Sequence, residues 1–204
     1  MAAIGYDRLA AVYDLLTRIA FAGQLQKAQR YLLTLVPPNG RVLALGGGTG
    51  WWLPFLYRQN PGAHITFVEP SEQMLRLAKK YASGNGRVDF VEGTQHEIPP
   101  ATYDAMVLFC VLDLFNDTDL MLLIRQLKNH DHGKTLWLIN DFQQTKWWHR
   151  YPLSWMYQFF RLTTGLKNKS LPDWKSVLSE CRLAEQTSRS FLGDFISSGM
   201  YAHA

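Results

Sequence analysis

Cysteine, uncharged apolar runs and sorting signals are scarce in this sequence. Its 204 residues include two cysteines, Cys110 and Cys181, which lie within apolar or helical patterns and have no ligand-like spacing. They predict neither a disulfide framework nor a zinc site, so we expect no bound metal and a cytoplasmic location. No N-terminal segment resembles a signal peptide, and no stretch reaches the roughly 20 uncharged residues that a membrane span requires.

Blocks of like charge are also missing. The formal net charge of +4 is spread along the chain, which argues only weakly for an acidic partner, and we expect no nucleic-acid partner. Apolar residues make up 47% of the sequence, which is enough for the core of one domain of this length. We therefore expect a single domain over residues 1–204. Nothing in the sequence predicts the oligomeric state.

An apolar run ends in a cluster of glycines and is followed by a predicted helix. Residues 41–45 have the composition of a strand, and Gly46, Gly48 and Gly50 alternate before the helix begins near Trp51. Glycines can adopt positive φ angles and let the backbone approach a ligand without a Cβ in the way. The free N–H groups of the next helix would point at the same ligand.

The spacing of these glycines separates three kinds of site. A dinucleotide-binding turn needs a third glycine at position 51, where this chain has Trp51. A P-loop needs Gly-Lys-Ser or Gly-Lys-Thr, and no lysine lies near. The remaining pattern is G-x-G-x-G. The glycines alone would also suit a turn that only connects a strand to a helix.

A second predicted strand, residues 64–69, ends in an acid about 20 residues after the first glycines. At the tip of a parallel strand, the Glu69 carboxylate can accept hydrogen bonds from both ribose hydroxyls of an adenosine-type cofactor. Pro70 and Ser71 follow, and Ser71 is a good N-cap. The glycine turn, the strand-end acid and the Pro-Ser-x-x-Met-Leu continuation together resemble the class I S-adenosylmethionine-dependent methyltransferases that act on small molecules.

The resemblance covers nearly the whole chain and implies a fold and a cofactor. Strands that alternate with helices favour a parallel sheet, and the family implies an α/β fold with a doubly wound, mostly parallel seven-stranded sheet, helices on both faces and a C-terminal antiparallel hairpin. The implied cofactor is S-adenosyl-L-methionine. Thr94 stands where the family has an aspartate that accepts from the adenine amino group. The residues that the resemblance assigns to the cofactor are Gly46, Gly47, Gly48, Gly50, Glu69, Pro70, Thr94, Gln95 and Phe109.

The chain departs from the family at one position of the glycine motif. The family carries an acid two residues before the first glycine, where it helps to hold the glycine loop and the ammonium group of the cofactor. This chain has Ala44 there. If nothing has replaced the missing acid, we expect weaker cofactor binding that an acid restored at Ala44 would tighten. If restoring it loosens binding, Asp7, Asp14 or Asp113 already holds the ammonium, or the site is apolar.

The N-terminal segment repeats a Tyr-Asp pair, which places Tyr6 and Tyr13 on one face of a predicted helix. One interpretation is an amphipathic helix packed on the sheet. The resemblance implies another, in which this segment closes over the cofactor and Tyr13 faces the reacting centre. The apolar stripe that the spacing predicts consists of Leu9, Val12, Leu16 and Ile19.

The stretch 145–166 is unusually aromatic. A helix opened by Pro152 would place Tyr151, Trp155, Phe159 and Leu162 on one face. This face could cover the core, act as a lid that lines an apolar substrate pocket, or contact a membrane surface weakly. We therefore divide the chain into a helical cap (1–36), a cofactor-binding core (41–141), an aromatic insertion or lid (142–171), and a final helix with a hairpin (172–204).

The resemblance implies in-line transfer of a methyl group to a small, apolar or aromatic acceptor. Alignment supplies much of the rate of such a reaction, and a general base is needed only for a poorly acidic acceptor. The candidate catalytic residues are Tyr13, Asp141 and His149, with Asp113 as a further acid, and no spacing selects one of them. Two alternatives stay open: a cofactor-binding protein without turnover and, less favoured by the spacing at Trp51, a nicotinamide-dependent oxidoreductase.

Overall fold

The chain folds into one mixed β-sheet with helices packed on it, in a computed structural model that describes residues 13–82, 87–165, 168 and 170–204. The strands are β1 (Arg41–Leu45), β2 (His64–Glu69), β3 (Val88–Glu92), β4 (Tyr103–Phe109), β5 (Asp131–Phe142), β6 (Leu183–Phe191) and β7 (Ile196–His203). Their order in the sheet is β3-β2-β1-β4-β5-β7-β6. Strands β1 to β5 run parallel, and β7 runs antiparallel to both β5 and β6.

Helices connect the strands and precede the sheet. They are α1 (described over residues 13–20), α2 (Gln24–Leu33), α3 (Leu53–Gln59), α4 (Glu72–Tyr81), α5 (Asp117–Leu127), α6 (Arg150–Thr164) and α7 (Trp174–Glu180), with 3-10 turns at Leu112–Leu114, Lys128–His130 and Trp147–His149. Ser71 caps α4 as predicted, since its hydroxyl accepts from the Met74 N–H at 3.2 Å. In the described part of the chain, no helix is both long enough and apolar enough to cross a bilayer.

The sheet has an apolar layer on each face. Along β1, Val42 and Ala44 belong to a layer shared with α2, α3 and α4, whereas Leu43 and Leu45 belong to a layer shared with α5 and α7. This alternation is what a strand buried on both faces requires. The predicted doubly wound α/β sheet with a C-terminal antiparallel hairpin is therefore confirmed.

The strand order sets the position of a ligand crevice. Strand β1 pairs with β2 on one side and with β4 on the other, so the connections from their carboxyl ends leave in opposite directions. Such a switch point opens a crevice outside the carboxyl ends of the strands. The glycine turn follows β1, and Glu69 ends β2, so both lie at this edge.

The predicted apolar stripe of the N-terminal helix is wrong for the two of its residues that the structure describes. Leu16 and Ile19 are exposed, and the inner face of α1 instead carries Tyr13 and Thr17, which line cavities. Tyr6, Leu9 and Val12 lie outside the described residues. Because Tyr13 and Thr17 are four residues apart, they share one face of the helix, but this face carries polar groups and was not detected by apolar periodicity.

The buried face of α6 is also different from the predicted one. Leu153, Met156 and Tyr157 are buried against an apolar cluster that includes Leu25, Phe142 and Phe195. The predicted stripe points outward: Trp155 is 78% exposed and Leu162 is 87% exposed, and Tyr151 and Phe159 are exposed as well. Both faces of this helix are apolar, so periodicity alone could not select the inner one. The division of the chain into four segments stays a prediction.

Candidate active site

A cavity of about 180 Å³ lies at the carboxyl ends of β1, β2 and β4, beneath α1 and α2. Most of the residues that the sequence assigned to the cofactor line it. These are Gly46, Gly47, Gly48, Glu69, Pro70, Thr94, Gln95 and Phe109. Tyr13, a predicted catalytic residue, lines it as well. The sequence therefore placed the correct edge of the sheet.

The three alternating glycines of the turn serve different purposes. All three have positive φ angles, +63° at Gly46, +61° at Gly48 and +69° at Gly50. A Cβ added at Gly48 would have no atom within 4 Å, so a side chain there would enter the cavity. A Cβ at Gly50 would lie 2.7 Å from the Cβ of Ala78, and Gly50 does not line the cavity. Gly50 therefore allows the turn to pack on α4, and its assignment to the cofactor stays a prediction that this packing does not favour.

Glu69 joins the tip of β2 to the glycine turn. Its Oε2 accepts from the Gly48 backbone N–H at 2.9 Å, and its Oε1 accepts from the Ser71 N–H at 2.9 Å. The side chain is only 6% exposed yet lines the cavity. Two backbone donors fix the orientation of the carboxylate, which has about four acceptor sites in all. The acid can therefore bind hydroxyl donors from a ligand while it holds the turn.

Thr94 and Gln95 lie on the loop after β3. The Thr94 hydroxyl and backbone N–H both donate to Oε2 of Glu97, at 3.0 and 2.7 Å. These bonds lower the pKa of Glu97. The loop is held from the other side, where the Gln126 amide donates to the Gln95 carbonyl at 2.9 Å. Because the Thr94 proton points to Glu97, its oxygen is left to accept from a ligand, as the family position requires.

Asp141 is not positioned as a catalytic base. It is fully buried and does not line the cavity. Its Oδ2 accepts from the backbone N–H groups of Leu112 at 2.9 Å and Asp113 at 3.4 Å, and its Oδ1 accepts from the Phe142 N–H at 2.8 Å. A structural role explains these contacts, because the carboxylate binds free N–H groups of the 3-10 turn after β4, and a catalytic role for Asp141 stays a prediction that these contacts do not favour.

His149 is not positioned as a catalytic base either. It is fully buried, and its Nδ1 accepts from the backbone N–H groups of Thr145 at 3.1 Å and Lys146 at 3.3 Å. Its other nitrogen, Nε2, lies 3.2 Å from the Gly193 carbonyl, to which it donates in this tautomer. Both nitrogens are thus used to join the turn before α6 to the hairpin between β6 and β7, and a catalytic role for His149 stays a prediction that these contacts do not favour.

A second cavity of about 20 Å³ shares Tyr13, Thr17 and other residues with the first. Its walls are mostly apolar, and Asp113 is the acid among them. Burial raises the pKa of the Asp113 carboxyl well above its usual value, and the charge of Asp141 raises it further. Within the described part of the chain, the buried Asp113 Oδ1 has no hydrogen-bond partner. Asp141 has three backbone donors for its charge, so Asp113 is the member of this acid pair that holds a proton.

Sequence reasoning missed most of the polar contribution of α1 and α2. Thr17, Gln26 and Gln29 line the main cavity, and two of them lie on a helix that carried no motif. Asp14, which lines the cavity as well, was one of the three acids that the sequence offered as a replacement for the acid missing at Ala44. Among the described residues, no group of three or more His, Cys, Asp or Glu side chains could hold a metal ion.

The predicted lid residues do not reach the site. Neither Tyr151 nor Trp155 lines the main cavity or the smaller one, which argues against a lid in which these two residues line the substrate pocket. Phe160, from the same helix, lines the smaller cavity. The aromatic segment thus contributes one ring to the site while its exposed stripe lies elsewhere.

Comparisons with known proteins identify this architecture. A family model described as a methyltransferase domain matches residues 42–130. The ubiquinone/menaquinone biosynthesis C-methyltransferase of Desulfotalea psychrophila is 31% identical over 121 residues, which are 57% of this chain and 49% of that protein. The demethylmenaquinone methyltransferase of Thermotoga maritima is 32% identical over 117 residues, which are 55% of this chain and 49% of that protein. The chain thus spans about half the length of the curated relatives it matches.

Solved structures with the same fold match more of the chain. The mitomycin 7-O-methyltransferase is 16% identical with a TM-score of 0.73, over 98% of this chain and 60% of that chain. A S-adenosylmethionine-dependent methyltransferase of Aquifex aeolicus is 14% identical with a TM-score of 0.64, over 92% of this chain and 93% of that chain. At these identities the likeness shows the fold alone. The matched residues 42–130 include both the glycine turn and Glu69, so this part of the chain matches a methyltransferase domain, in agreement with the resemblance that its sequence indicated.

Proposed function

We propose that the protein binds S-adenosyl-L-methionine in the main cavity and transfers its methyl group to a small acceptor. The observation that carries this proposal is the contact between Glu69 and Gly48, which brings a carboxylate and a backbone without side chains to the same space. The cofactor would supply a methyl group on a positively charged sulfur. The protein then has to hold donor and acceptor in line, and alignment can supply much of the rate.

Each part of the cofactor has a matching group in the cavity. Glu69 would accept from the two ribose hydroxyls, a role that a carboxylate with two acceptor oxygens suits. Gly46 and Gly48 would let the backbone approach the methionine part closely, because neither has a Cβ. Thr94 would accept from the adenine amino group, with its own proton already donated to Glu97. Gln95, Pro70 and Phe109 would then border the adenosine, since they line the same cavity.

We propose an apolar acceptor with an aromatic or quinone-like ring. The smaller cavity is walled by rings that include Phe21, Phe142 and Phe160, with few polar groups among them. A lining of this composition favours an apolar ligand, and a cavity of about 20 Å³, which holds about one water molecule, would have to widen to admit a ring. In support, a solved O-methyltransferase of neocarzinostatin biosynthesis was crystallised with a naphthoic acid, and one from Planctomyces limnophilus with apigenin. The two curated relatives described above are named for quinone substrates.

Tyr13 and Asp113 are the groups that we propose to contact the acceptor. Both line the smaller cavity beside Cys110, which follows β4. A protonated Asp113 can donate to, or accept from, a hydroxyl or carbonyl of the acceptor. If so, Asp113→Asn should retain affinity for S-adenosylhomocysteine while turnover falls about a hundredfold or more. Unchanged turnover would remove Asp113 from the mechanism.

The test of the proposed function has two steps. Calorimetry with S-adenosylhomocysteine and NADH in parallel should show binding of the first alone. Radiolabelled S-adenosylmethionine with a panel of hydroxynaphthoates, flavonoids and quinols should then give a labelled ring compound. Binding without any labelled product would favour the alternative of a cofactor-binding protein without turnover, for which Ala44 and Thr94 are the supporting features. Binding of NADH alone would favour the oxidoreductase.

The exposed face of α6 suggests where an apolar acceptor is encountered. We propose that Tyr151, Trp155, Phe159 and Leu162 form a weak membrane-contact surface. Lys146, Arg150 and Arg161 lie in the same segment, and no acidic residue occurs between Asp141 and Asp173. Exposed aromatic rings beside cations are typical of helices that bind an anionic lipid surface. The same helix turns Phe160 toward the smaller cavity, so a bound membrane would lie close to the acceptor site.

A further inference from the structure

The position that carries the family's acid is closed to the cavity in this protein. Ala44 is 0% exposed and lies in the apolar layer with Trp52, Phe67 and Val107. The Trp52 ring stacks on Phe67 with centroids 5.9 Å apart and donates from its indole N–H to the Gly47 carbonyl at 3.3 Å. Aromatic packing therefore supports the turn from below, at the place where other members of the family have a charge.

A carboxylate reaches the same turn from another direction. Asp14, on α1, lines the main cavity, and its Oδ1 accepts from the hydroxyl of Thr49 at 2.7 Å. Thr49 lies inside the glycine turn, between Gly48 and Gly50. This bond engages one carboxylate oxygen and leaves the other for a ligand. Partial burial raises the pKa of Asp14, and the Thr49 bond offsets part of this effect, so a cationic neighbour would favour the charged form.

Two more acceptors lie at this end of the cavity. Gln26 and Gln29 are three residues apart on α2 and line the cavity from one face of the helix. Within the described ranges, the Oε1 atoms of both side chains are buried without a hydrogen-bond partner. The Gln26 amide instead donates to the Thr17 hydroxyl at 3.4 Å. A buried acceptor without a donor is costly, so a ligand with several N–H donors would stabilise this end.

We propose that Asp14, with the amide oxygens of Gln26 and Gln29, binds the α-ammonium group of the cofactor and replaces the acid that is missing at Ala44. An ammonium has three N–H donors and no acceptor, which matches one carboxylate oxygen and two amide oxygens. This inference depends on the proposed function, because it assigns a subsite within the proposed cofactor site. It also makes α1 part of the cofactor site and not only a cover over it.

The test compares two ligands that differ in the amino-acid part. S-Adenosylhomocysteine has the ammonium, whereas 5′-methylthioadenosine has the same adenosine thioether without it. Calorimetry with both ligands is carried out on the wild-type protein and on Asp14→Asn. We expect Asp14→Asn to weaken S-adenosylhomocysteine at least about tenfold, the loss typical of a charge-assisted hydrogen bond, and to change 5′-methylthioadenosine by less than about twofold.

Controls separate this role from a general effect of the substitution. Asp89→Asn, on β3 at an exposed position outside the cavity, removes the same charge and should leave both affinities unchanged. If Asp14→Asn does not fold, Gln26→Leu and Gln29→Leu provide a second test. We expect each of them to weaken S-adenosylhomocysteine binding and to leave 5′-methylthioadenosine binding nearly unchanged. An equal loss for both ligands, or no loss in any variant, would overturn the inference. Failure of the wild-type protein to bind either ligand would instead contradict the proposed function.

Discussion

The carboxylate of Glu69, at the end of β2, accepts a hydrogen bond at 2.9 Å from the backbone N–H of Gly48, in the turn after β1. This bond joins the tip of β2 to the turn after β1. It orients an acid toward the cavity at the one glycine of the turn where an added Cβ would meet no protein atom within 4 Å. A single hydrogen bond therefore holds together the two parts of the proposed cofactor site, the Glu69 carboxylate and the glycine turn.

Gly48→Val should abolish binding of S-adenosylhomocysteine while the protein stays folded. The new side chain would enter the cavity at the place where we expect the protein backbone to contact the cofactor. The positive φ of +61° adds strain, about 1–2 kcal/mol. Gly133→Val is the matched control, because Gly133 also has a positive φ and open surroundings but lies outside the cavity. Both variants should lose similar stability, and normal binding by a folded Gly48→Val would show that the turn is only a connector.

Ala44→Asp should destabilise the protein and should not tighten cofactor binding. The sequence alone led to the opposite expectation, that a restored acid improves binding. Ala44 is enclosed by the apolar layer that includes Trp52 and Phe67, where an added charge would have no partner. An uncompensated buried charge costs about 3–5 kcal/mol. Urea unfolding measures this loss, and a variant of normal stability with tighter S-adenosylhomocysteine binding would contradict the structure.

The features predictable from the sequence were those that local patterns encode. The bounds of β2 match the predicted strand over residues 64–69, and the strand-end position of Glu69 follows directly from them. The fold class and the resemblance to methyltransferases followed from these elements and the glycine spacing; the fold class is confirmed, and a methyltransferase-domain model matches residues 42–130. Each of these features depends on residues close together in the chain.

The features that were missed depend on contacts between distant residues. Asp141 and His149 are polar residues in suitable segments, but only the fold reveals that backbone N–H groups occupy them. Both faces of α6 are apolar. The face that is buried is the one that packs with Leu25, Phe142 and Phe195, which come from elsewhere in the chain. Periodicity carries no information about which of two apolar faces finds a partner.

In Asp113→Asn, the free energy of unfolding should fall less steeply with rising pH than in the wild-type protein. Burial raises the pKa of Asp141 to about 7 and that of Asp113 well above its usual value. This acid pair therefore binds more protons in the folded protein than in the unfolded chain, so the stability that the pair contributes is greatest below about pH 4 and is lost as pH rises through about 7. Removing one acid of the pair removes part of this fall. Thermal unfolding between about pH 4 and pH 8 measures it, and identical slopes in both proteins would contradict the assignment.

Trp155→Ser should reduce binding to anionic liposomes without lowering the melting temperature. Trp155 is 78% exposed, so its removal leaves no cavity in the core. Leu122→Ser is the matched control, because Leu122 is an exposed apolar residue on α5, away from α6. Flotation should increase with the anionic lipid content for the wild-type protein and decrease for Trp155→Ser alone. A wild-type protein that never floats with liposomes would rule out the membrane-contact surface.

Calorimetric titration of S-adenosylhomocysteine into Glu69→Ala tests the central claim most directly. Hydrogen bonds to a charged group contribute about 1.5–3 kcal/mol each, so we predict affinity at least about tenfold weaker than in the wild-type protein. Glu92→Gln is the control, since Glu92 ends β3 directly opposite Glu69 in the strand register but does not line the cavity. Equal affinity of wild type and Glu69→Ala for S-adenosylhomocysteine would contradict the account.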